Sequence, residues 1–165
     1  MAVDLEGENA ECALNGLYRA SGSQSKNVLT TVAHKKPHTK SSELYKGILD
    51  GLGRAAFEGL VVVSPEAQKT DASLYNKNLV LSESAMVHTS PEFKIEADDV
   101  RCKHGSAIGQ LDLSALFYLK SRGFGEAEAR AALIHAFQSE ILESIPLEAV
   151  RTVVMELLSE KSVLK

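Results

Sequence analysis

The chain has 165 residues, of which 44% are apolar and 24% charged, and these values are close to the averages of globular domains. Its net charge of −4 lacks the basic surplus of general nucleic-acid binders, and an aromatic content of 5% without tryptophan disfavours a base-stacking surface. No apolar run approaches the roughly 20 residues needed to cross a bilayer. We therefore expect neither a nucleic acid nor a membrane as partner.

Two cysteines, Cys12 and Cys102, occur in the sequence. A secreted disulfide framework needs more, and the residues before Cys12 lack the basic and apolar regions of a signal peptide. We predict a cytoplasmic protein, or a plastid protein if the source is a photosynthetic eukaryote. The chain opens directly into strand-like sequence, so we expect it to be a fragment of a longer protein.

Residues 1–110 are predicted to form short β-strands. The strand candidates share β-branched and other apolar residues in extended patterns, and they are Val28–His34, Leu60–Val63, Asn78–Leu81, Phe93–Ala97 and Val100–His104. Glycines and prolines separate these segments, and no sustained helical period appears among them. This half of the chain is therefore predicted to be an all-β domain.

The spacing of four apolar residues indicates how these strands are arranged. Leu79, Met86, Phe93 and Val100 stand seven residues apart, which allows a strand of about four residues and a tight corner. Three such units predict a β-solenoid coil of roughly 21 residues. An antiparallel sandwich of hairpins is the alternative, although two-residue Asn-Gly or Asp-Gly turns are scarce.

Residues 111–165 are predicted to form a small helical domain. Asp112 is a good N-cap for a helix over Leu113–Ser121, which Gly123 closes. A second helix is predicted over Glu126–Glu143, and a third begins near Pro146. The apolar face of the third helix is formed by Leu147, Val150, Val154, Leu157 and Leu158. Such helices can cap a solenoid or bind a partner.

The run Ala97–Gly105 contains the most distinctive chemistry of the sequence. In a strand, Cys102 and His104 share one face with Val100, and the apolar valine indicates that this is the inner face. A sulfur and an imidazole nitrogen side by side suit iron, zinc or copper. A lone strand cysteine is more often a small buried hydrophobe. Two ligands cannot hold a metal tightly, so a second chain must contribute or the site is transient.

The remaining cysteine and histidines have plainer interpretations. Cys12 has no ligand-type neighbour and is predicted to be an ordinary core or surface residue. His34 and His38 flank two lysines, which would repel a cation, so both are predicted to lie in a solvated loop. His88 stands alone and is predicted to lie at a corner.

Several motifs resemble the SufB/SufD family, and they occur in the family order over residues 55–142. These motifs are Gln68–Ala72, Asn76–Ser82, Ala97–Gly105, Gly109–Asp112 and Leu116–Gly123. The Cys-x-His form at Cys102 and His104 resembles the D subunit in particular. Family members are scaffolds for iron–sulfur cluster assembly and are built as a right-handed parallel β-helix followed by a helical C-terminal domain.

The resemblance implies that this chain is the C-terminal part of a SufD-like subunit that pairs with SufB and docks the SufC ATPase. His104 resembles the D-subunit ligand at the interface with SufB, and Cys102 matches a cysteine of the family pattern. The cluster would be transient and shared with the partner subunit, and we expect no tightly bound cofactor in this chain alone. The chain itself is predicted not to be an enzyme.

Two other interpretations remain open at this point. One is an interaction module in which Cys102 and His104 are core residues. The other is a β-solenoid enzyme that acts on polysaccharides, although the low aromatic content disfavours sugar platforms. In addition, a cut β-helix exposes strand edges, so the isolated chain is predicted to form a homodimer.

Overall fold

The computed structural model describes residues 1–160, with side chains described through residue 158. Eight β-strands precede three α-helices. The strands are β1 (Ala2–Leu5), β2 (Glu11–Ala20), β3 (Ser25–His34), β4 (Lys40–Leu49), β5 (Arg54–Val63), β6 (Asp71–Val80), β7 (Met86–Ile95) and β8 (Arg101–Gly109). The helices are α1 (Leu113–Ser121), α2 (Glu126–Glu143) and α3 (Glu148–Glu160). Met1–Gly109 forms one compact unit, and a second unit begins at Gln110.

The strand unit is a parallel β-helix of about four coils. The odd-numbered strands form one sheet in the order β1-β3-β5-β7, and the even-numbered strands form the other in the order β2-β4-β6-β8. Each coil therefore consists of two strands and two turns, and every strand pairs in parallel with a strand of an adjacent coil. The predicted β-solenoid followed by helices is confirmed, and the antiparallel sandwich is excluded.

Each coil is longer than the predicted 21 residues. Ala2 pairs with Thr31 and Arg54 pairs with Met86, so successive coils are offset by 29 to 32 residues. The seven-residue spacing does not mark corners, because Met86 and Phe93 lie in the same strand, β7. The prediction was wrong because the strands are about ten residues long and carry polar residues on their outer faces. These residues interrupt the apolar runs from which strands are recognised.

The turns between the sheets repeat the same backbone geometry from coil to coil. Asn9, His38 and Lys69 occupy equivalent corners, and their φ angles of 61°, 59° and 62° are left-handed. The His38 N–H donates to the Gln68 carbonyl at 2.9 Å, which joins one corner to the next. A left-handed conformation is unfavourable for residues with a side chain, so the stacked corners are held by the coils around them.

The two sheets enclose a mixed apolar and polar interior. Its fully buried apolar side chains include Val32, Leu49, Phe57, Val61, Val63 and Leu74, and burying a side chain of this size contributes roughly 1.5–3 kcal/mol. A buried polar network accompanies them, in which the Tyr18 hydroxyl donates to Asn78 Oδ1 at 2.5 Å. Asn78 Nδ2 in turn donates to Asn76 Oδ1 at 2.7 Å. The hydrogen bonds within this network offset the cost of removing its polar groups from water.

Two interior glycines make room for aromatic rings. The Tyr45 ring lies where a side chain at Gly16 would project, and the Tyr18 ring and Asn78 lie where one at Gly47 would project. The aromatic side chains therefore lie over bare backbone in the neighbouring strand. At these positions even a methyl group would displace a neighbour.

The helical unit follows the predicted boundaries. Asp112 caps α1, because its carboxylate accepts hydrogen bonds from the backbone N–H groups of Ser114 at 2.8 Å and Ala115 at 3.3 Å. Gly123 follows α1 with a φ of 97°, as expected of a residue that ends a helix. The second helix spans the predicted range, and α3 begins two residues after Pro146.

Candidate site at the open end of the coils

Strand β8 places Cys102 and His104 on the inner face of the β-helix. Cys102 pairs with Ala72 and His104 with Leu74 in the neighbouring strand β6. Both β6 residues are buried in the interior, and parallel strands in register point paired side chains to the same face. The predicted shared inner face is therefore confirmed.

The two side chains face inward and yet remain accessible, because β8 and β7 are the last strands of their sheets in the described chain. Cys102 is half-buried and packs at the margin of the core, whereas His104 is exposed. A further coil stacked on this end would enclose them. Within the strand unit, Met1–Gly109, the thiol and the imidazole thus lie at an open end of the β-helix.

Phe93 orients the imidazole of His104 from the opposite sheet. The two rings stack with centroids 5.1 Å apart and planes inclined by only 7°. Phe93 itself packs against the core, so it gives the imidazole a rigid support. No hydrogen bond to a ring nitrogen of His104 occurs among the described residues. An imidazole that is held in plane and keeps its nitrogens accessible can act as a metal ligand.

The surroundings of Cys102 in this chain favour the protonated thiol over the thiolate. Burial raises its pKa, and the negative charge of Asp71 raises it further, while a backbone hydrogen bond from Ala72 opposes the shift. The thiolate is the form that ligates metals. Binding a cation at Cys102 therefore requires loss of a proton, which a positive ion at the site would itself promote.

The candidate site is incomplete within residues 1–160. In the part of the chain that the structure describes, no group of three or more histidine, cysteine, aspartate or glutamate side chains is arranged to hold a metal ion. Cys102 and His104 supply at most two donors, whereas thiolate and imidazole sites are usually four-coordinate. A metal ion bound here would therefore need further donors from another molecule or from elsewhere in the protein.

Cys12 lies far from this site although it faces the same interior. Cys12, Ser41, Ala72 and Cys102 form one row across the even-numbered sheet. Three strand spacings separate the two cysteines, which corresponds to roughly 14 Å. Cys12 is half-buried at the margin of the core, so its interpretation as an ordinary residue agrees with its position.

The positions of His34 and His88 differ from the prediction, whereas that of His38 agrees with it. His38 is exposed in a turn as expected, but His34 is fully buried at the end of β3. Its Nδ1 lies 2.8 Å from Thr39 Oγ1 and its Nε2 lies 2.8 Å from Ser41 Oγ. His88 lies within β7 rather than at a corner. The loop prediction for His34 was wrong because the adjacent lysines belong to the corner and not to the strand.

Glu43 is a buried carboxyl that sequence reasoning missed. It is completely inaccessible, and the described structure offers neither carboxyl oxygen a hydrogen-bond partner. The signal was present in the alternation of Ser41, Glu43 and Tyr45, which share the inner face of β4. Alternation alone does not show which face of β4 points into the interior, so the burial of Glu43 could not be predicted.

Comparison with known proteins identifies the family. The model described as "SUF system FeS cluster assembly, SufBD core domain" matches residues 1–137. Over 131 residues the chain is 44% identical to an iron–sulfur cluster assembly SufBD family protein of Synechocystis, covering 79% of this chain and 29% of that protein. The chain is 34% identical over 160 residues to the iron–sulfur cluster assembly protein SufD of Escherichia coli, covering 97% and 38%.

A SufBD family protein of Mycobacterium leprae is 38% identical over 157 residues, covering 90% of this chain and 40% of the relative. The chain thus spans well under half the length of these relatives. Among the described residues, no helix combines the length and apolar character needed to cross a membrane. Because the family model covers residues 1–137 and the Escherichia coli SufD match extends over 97% of the chain, the chain belongs to the SufBD family and is SufD-like.

Proposed function

We propose that this chain acts as a SufD-like scaffold in iron–sulfur cluster assembly and presents His104, with Cys102, to a nascent cluster at the interface with a SufB-like subunit. One observation carries the proposal. Two inward-facing donors lie at an open end of the β-helix, where a second polypeptide can supply the missing ligands. The cluster is cargo that passes through the site, in accordance with the small number of ligands in this chain.

The helical unit is proposed to dock a SufC-like ATPase. Several apolar side chains of this unit remain exposed in the described chain, and they include Leu113, Phe117, Leu147, Val153 and Leu157. Leu147 and Leu157 belong to the apolar face predicted for the third helix, and they are 65% and 52% exposed. Exposed apolar patches of this kind are typical of protein interaction surfaces. Hydrolysis would then take place in the partner, and this chain would act as a scaffold rather than an enzyme.

The proposed role of His104 is tested by cluster formation in the reconstituted complex. The chain is combined with SufB-like and SufC-like partners under anaerobic conditions, and iron and sulfide are added while the visible absorption of the cluster is followed. We expect His104→Ala to lower the cluster yield severalfold because an imidazole ligand is lost. Cys102→Ser should lower it too if the thiol takes part.

His88→Ala is the matched control, because His88 is an exposed histidine of strand β7 in the opposite sheet. Both histidine variants should still copurify with the partners, which separates loss of a ligand from loss of assembly. Unchanged cluster formation in His104→Ala, with the complex intact, would refute the proposed ligand. Failure of the parent chain to copurify with either partner would refute the scaffold itself.

A further inference from the structure

Glu43 occupies an interior position that is unfavourable for a negative charge. Its residue is 0% exposed, and both carboxyl oxygens lack a hydrogen-bond partner in the described structure. In the sheet register its neighbours on either side are Leu14 and Leu74, so apolar side chains flank it along the row. An unpaired carboxylate in such surroundings is strongly destabilising, and buried carboxyl groups usually become neutral instead.

The polar groups around Glu43 do not supply a compensating charge. From the opposite sheet, the buried hydroxyl of Thr30 lies close enough to interact with the carboxyl, although the two groups fall short of hydrogen-bond geometry. The thiol of Cys12 on β2 and the phenol of Tyr45 on β4 interact electrostatically with Glu43, and both are neutral groups whose pKa its charge would raise. His34, also on β3, has both ring nitrogens occupied by hydroxyls. Within residues 1–160, no lysine, arginine or histidine is among the groups that shift the pKa of this carboxyl.

The electrostatics agree with this packing. Burial raises the pKa of Glu43 above its ordinary value, and the Thr30 hydroxyl opposes the shift less strongly. Within the described interior, Glu43 therefore differs from Asn76 and Asn78, whose amides are paired with neighbours. When a group is neutral in the folded protein and charged in the unfolded chain, the stability of the fold depends on pH.

We propose that Glu43 is a neutral carboxylic acid in the folded protein at physiological pH, next to Thr30, and that it makes the first coils of the β-helix sensitive to alkaline pH. Ionisation places an unpaired charge between Leu14 and Leu74 and loosens the packing of β2 on β4. The inference is independent of the proposed function, because it concerns the interior rather than the open end at His104.

Infrared spectroscopy tests the protonation state directly, since a protonated carboxyl has a carbonyl stretching band that a carboxylate lacks. The difference spectrum between the parent chain and Glu43→Gln at neutral pH should contain this band. Glu58→Gln is the matched control, because Glu58 is an exposed glutamate in strand β5 and should contribute only carboxylate bands. A parent-minus-Glu43→Gln spectrum with carboxylate bands alone would refute the proposal.

Thermal unfolding provides the second measurement. The pKa of Glu43 is higher in the folded protein than in the unfolded chain. Its contribution to the free energy of unfolding is therefore complete below the unfolded pKa, and it is lost as the pH rises through the folded pKa. The melting temperature of Glu43→Gln relative to the parent should therefore rise as the pH is raised above the ordinary pKa of glutamate, whereas that of Glu58→Gln should not. Glu43→Met, of similar length and without charge, should behave as Glu43→Gln does. If both Glu43 variants fail to fold while Glu58→Gln folds, the carboxylate is needed in its charged form and the proposal is wrong.

Discussion

The imidazole of His34 is held between two hydroxyl groups in the interior of the β-helix. The Thr39 hydroxyl donates to the Lys36 carbonyl at 3.0 Å, so its oxygen accepts from Nδ1–H of His34. Nε2 then accepts from Ser41. Burial lowers the pKa of His34 to about 4. The neutral tautomer is thus part of the folded structure, and a proton at Nε2 would introduce a buried charge.

This arrangement predicts that the folded protein loses stability when the pH becomes acidic. The pKa of His34 in the folded protein lies below its ordinary value of 6.5. The neutral imidazole therefore makes its full contribution to the free energy of unfolding above about pH 6.5, and this contribution is lost as the pH falls towards 4. The loss amounts to up to about 3 kcal/mol, at 1.36 kcal/mol per pKa unit. Denaturant unfolding at a series of pH values measures it. The loss should persist in His38→Gln, since His38 is exposed, and should be absent in His34→Gln. An equal acid loss in both variants would contradict this role of His34.

At the scale of one element, β4 shows how closely neighbouring strands fit. Gly47 lies beneath the Tyr18 ring of β2 and beside Asn78 of β6. This glycine is needed for space and not for backbone freedom, because its φ is not left-handed. The pairing of β4 with both neighbours therefore depends on the absence of a side chain at this point.

Gly47→Ala is expected to destabilise the β-helix by about 1–3 kcal/mol, the usual cost of inserting a methyl group into a packed interior. Gly109→Ala is the matched control, because no atom lies within 4 Å of an added Cβ there. Its effect should stay within about 0.5 kcal/mol. Chemical denaturation of both variants measures the difference. Comparable stabilities would show that the Tyr18 ring moves aside easily.

Elements that depend on local sequence signals could be predicted, whereas features that depend on distant pairings could not. The bounds of α1 and α2 follow from local signals, such as the cap at Asp112 and the glycine at Gly123. The common face of Cys102 and His104 follows from strand alternation. The ring beneath His104 could not be predicted, since Phe93 belongs to the opposite sheet. Strand length and coil length could not be predicted either, because they depend on pairings about 30 residues apart.

At the scale of the whole molecule, the open end of the strand unit has consequences for association. Among the described strands, β8 pairs only with β6, and Ile108 near its end is 55% exposed. Unpaired edges with apolar side chains favour pairing with another chain. The isolated chain is therefore expected to form a homodimer through the edge that we propose for a SufB-like subunit.

Light scattering of the isolated chain at tens of micromolar tests this expectation. Ile108→Lys should shift the protein towards monomer, because a charged residue on an edge strand opposes edge pairing. Leu52→Lys is the control, as Leu52 is 61% exposed in the turn between β4 and β5. A monomeric parent chain would argue against the homodimer, and an equal effect of both substitutions would argue against this edge.

The in-register stacking of the coils also sets a scale of length. Strands β3 to β6 each pair with the strand one coil earlier and with the strand one coil later. Every additional coil would move His104 along the axis by one strand spacing, about 4.8 Å. Gain or loss of a whole coil would therefore change the reach of the imidazole without altering its surroundings. The number of coils therefore sets the position of His104 along the axis in steps of one strand spacing.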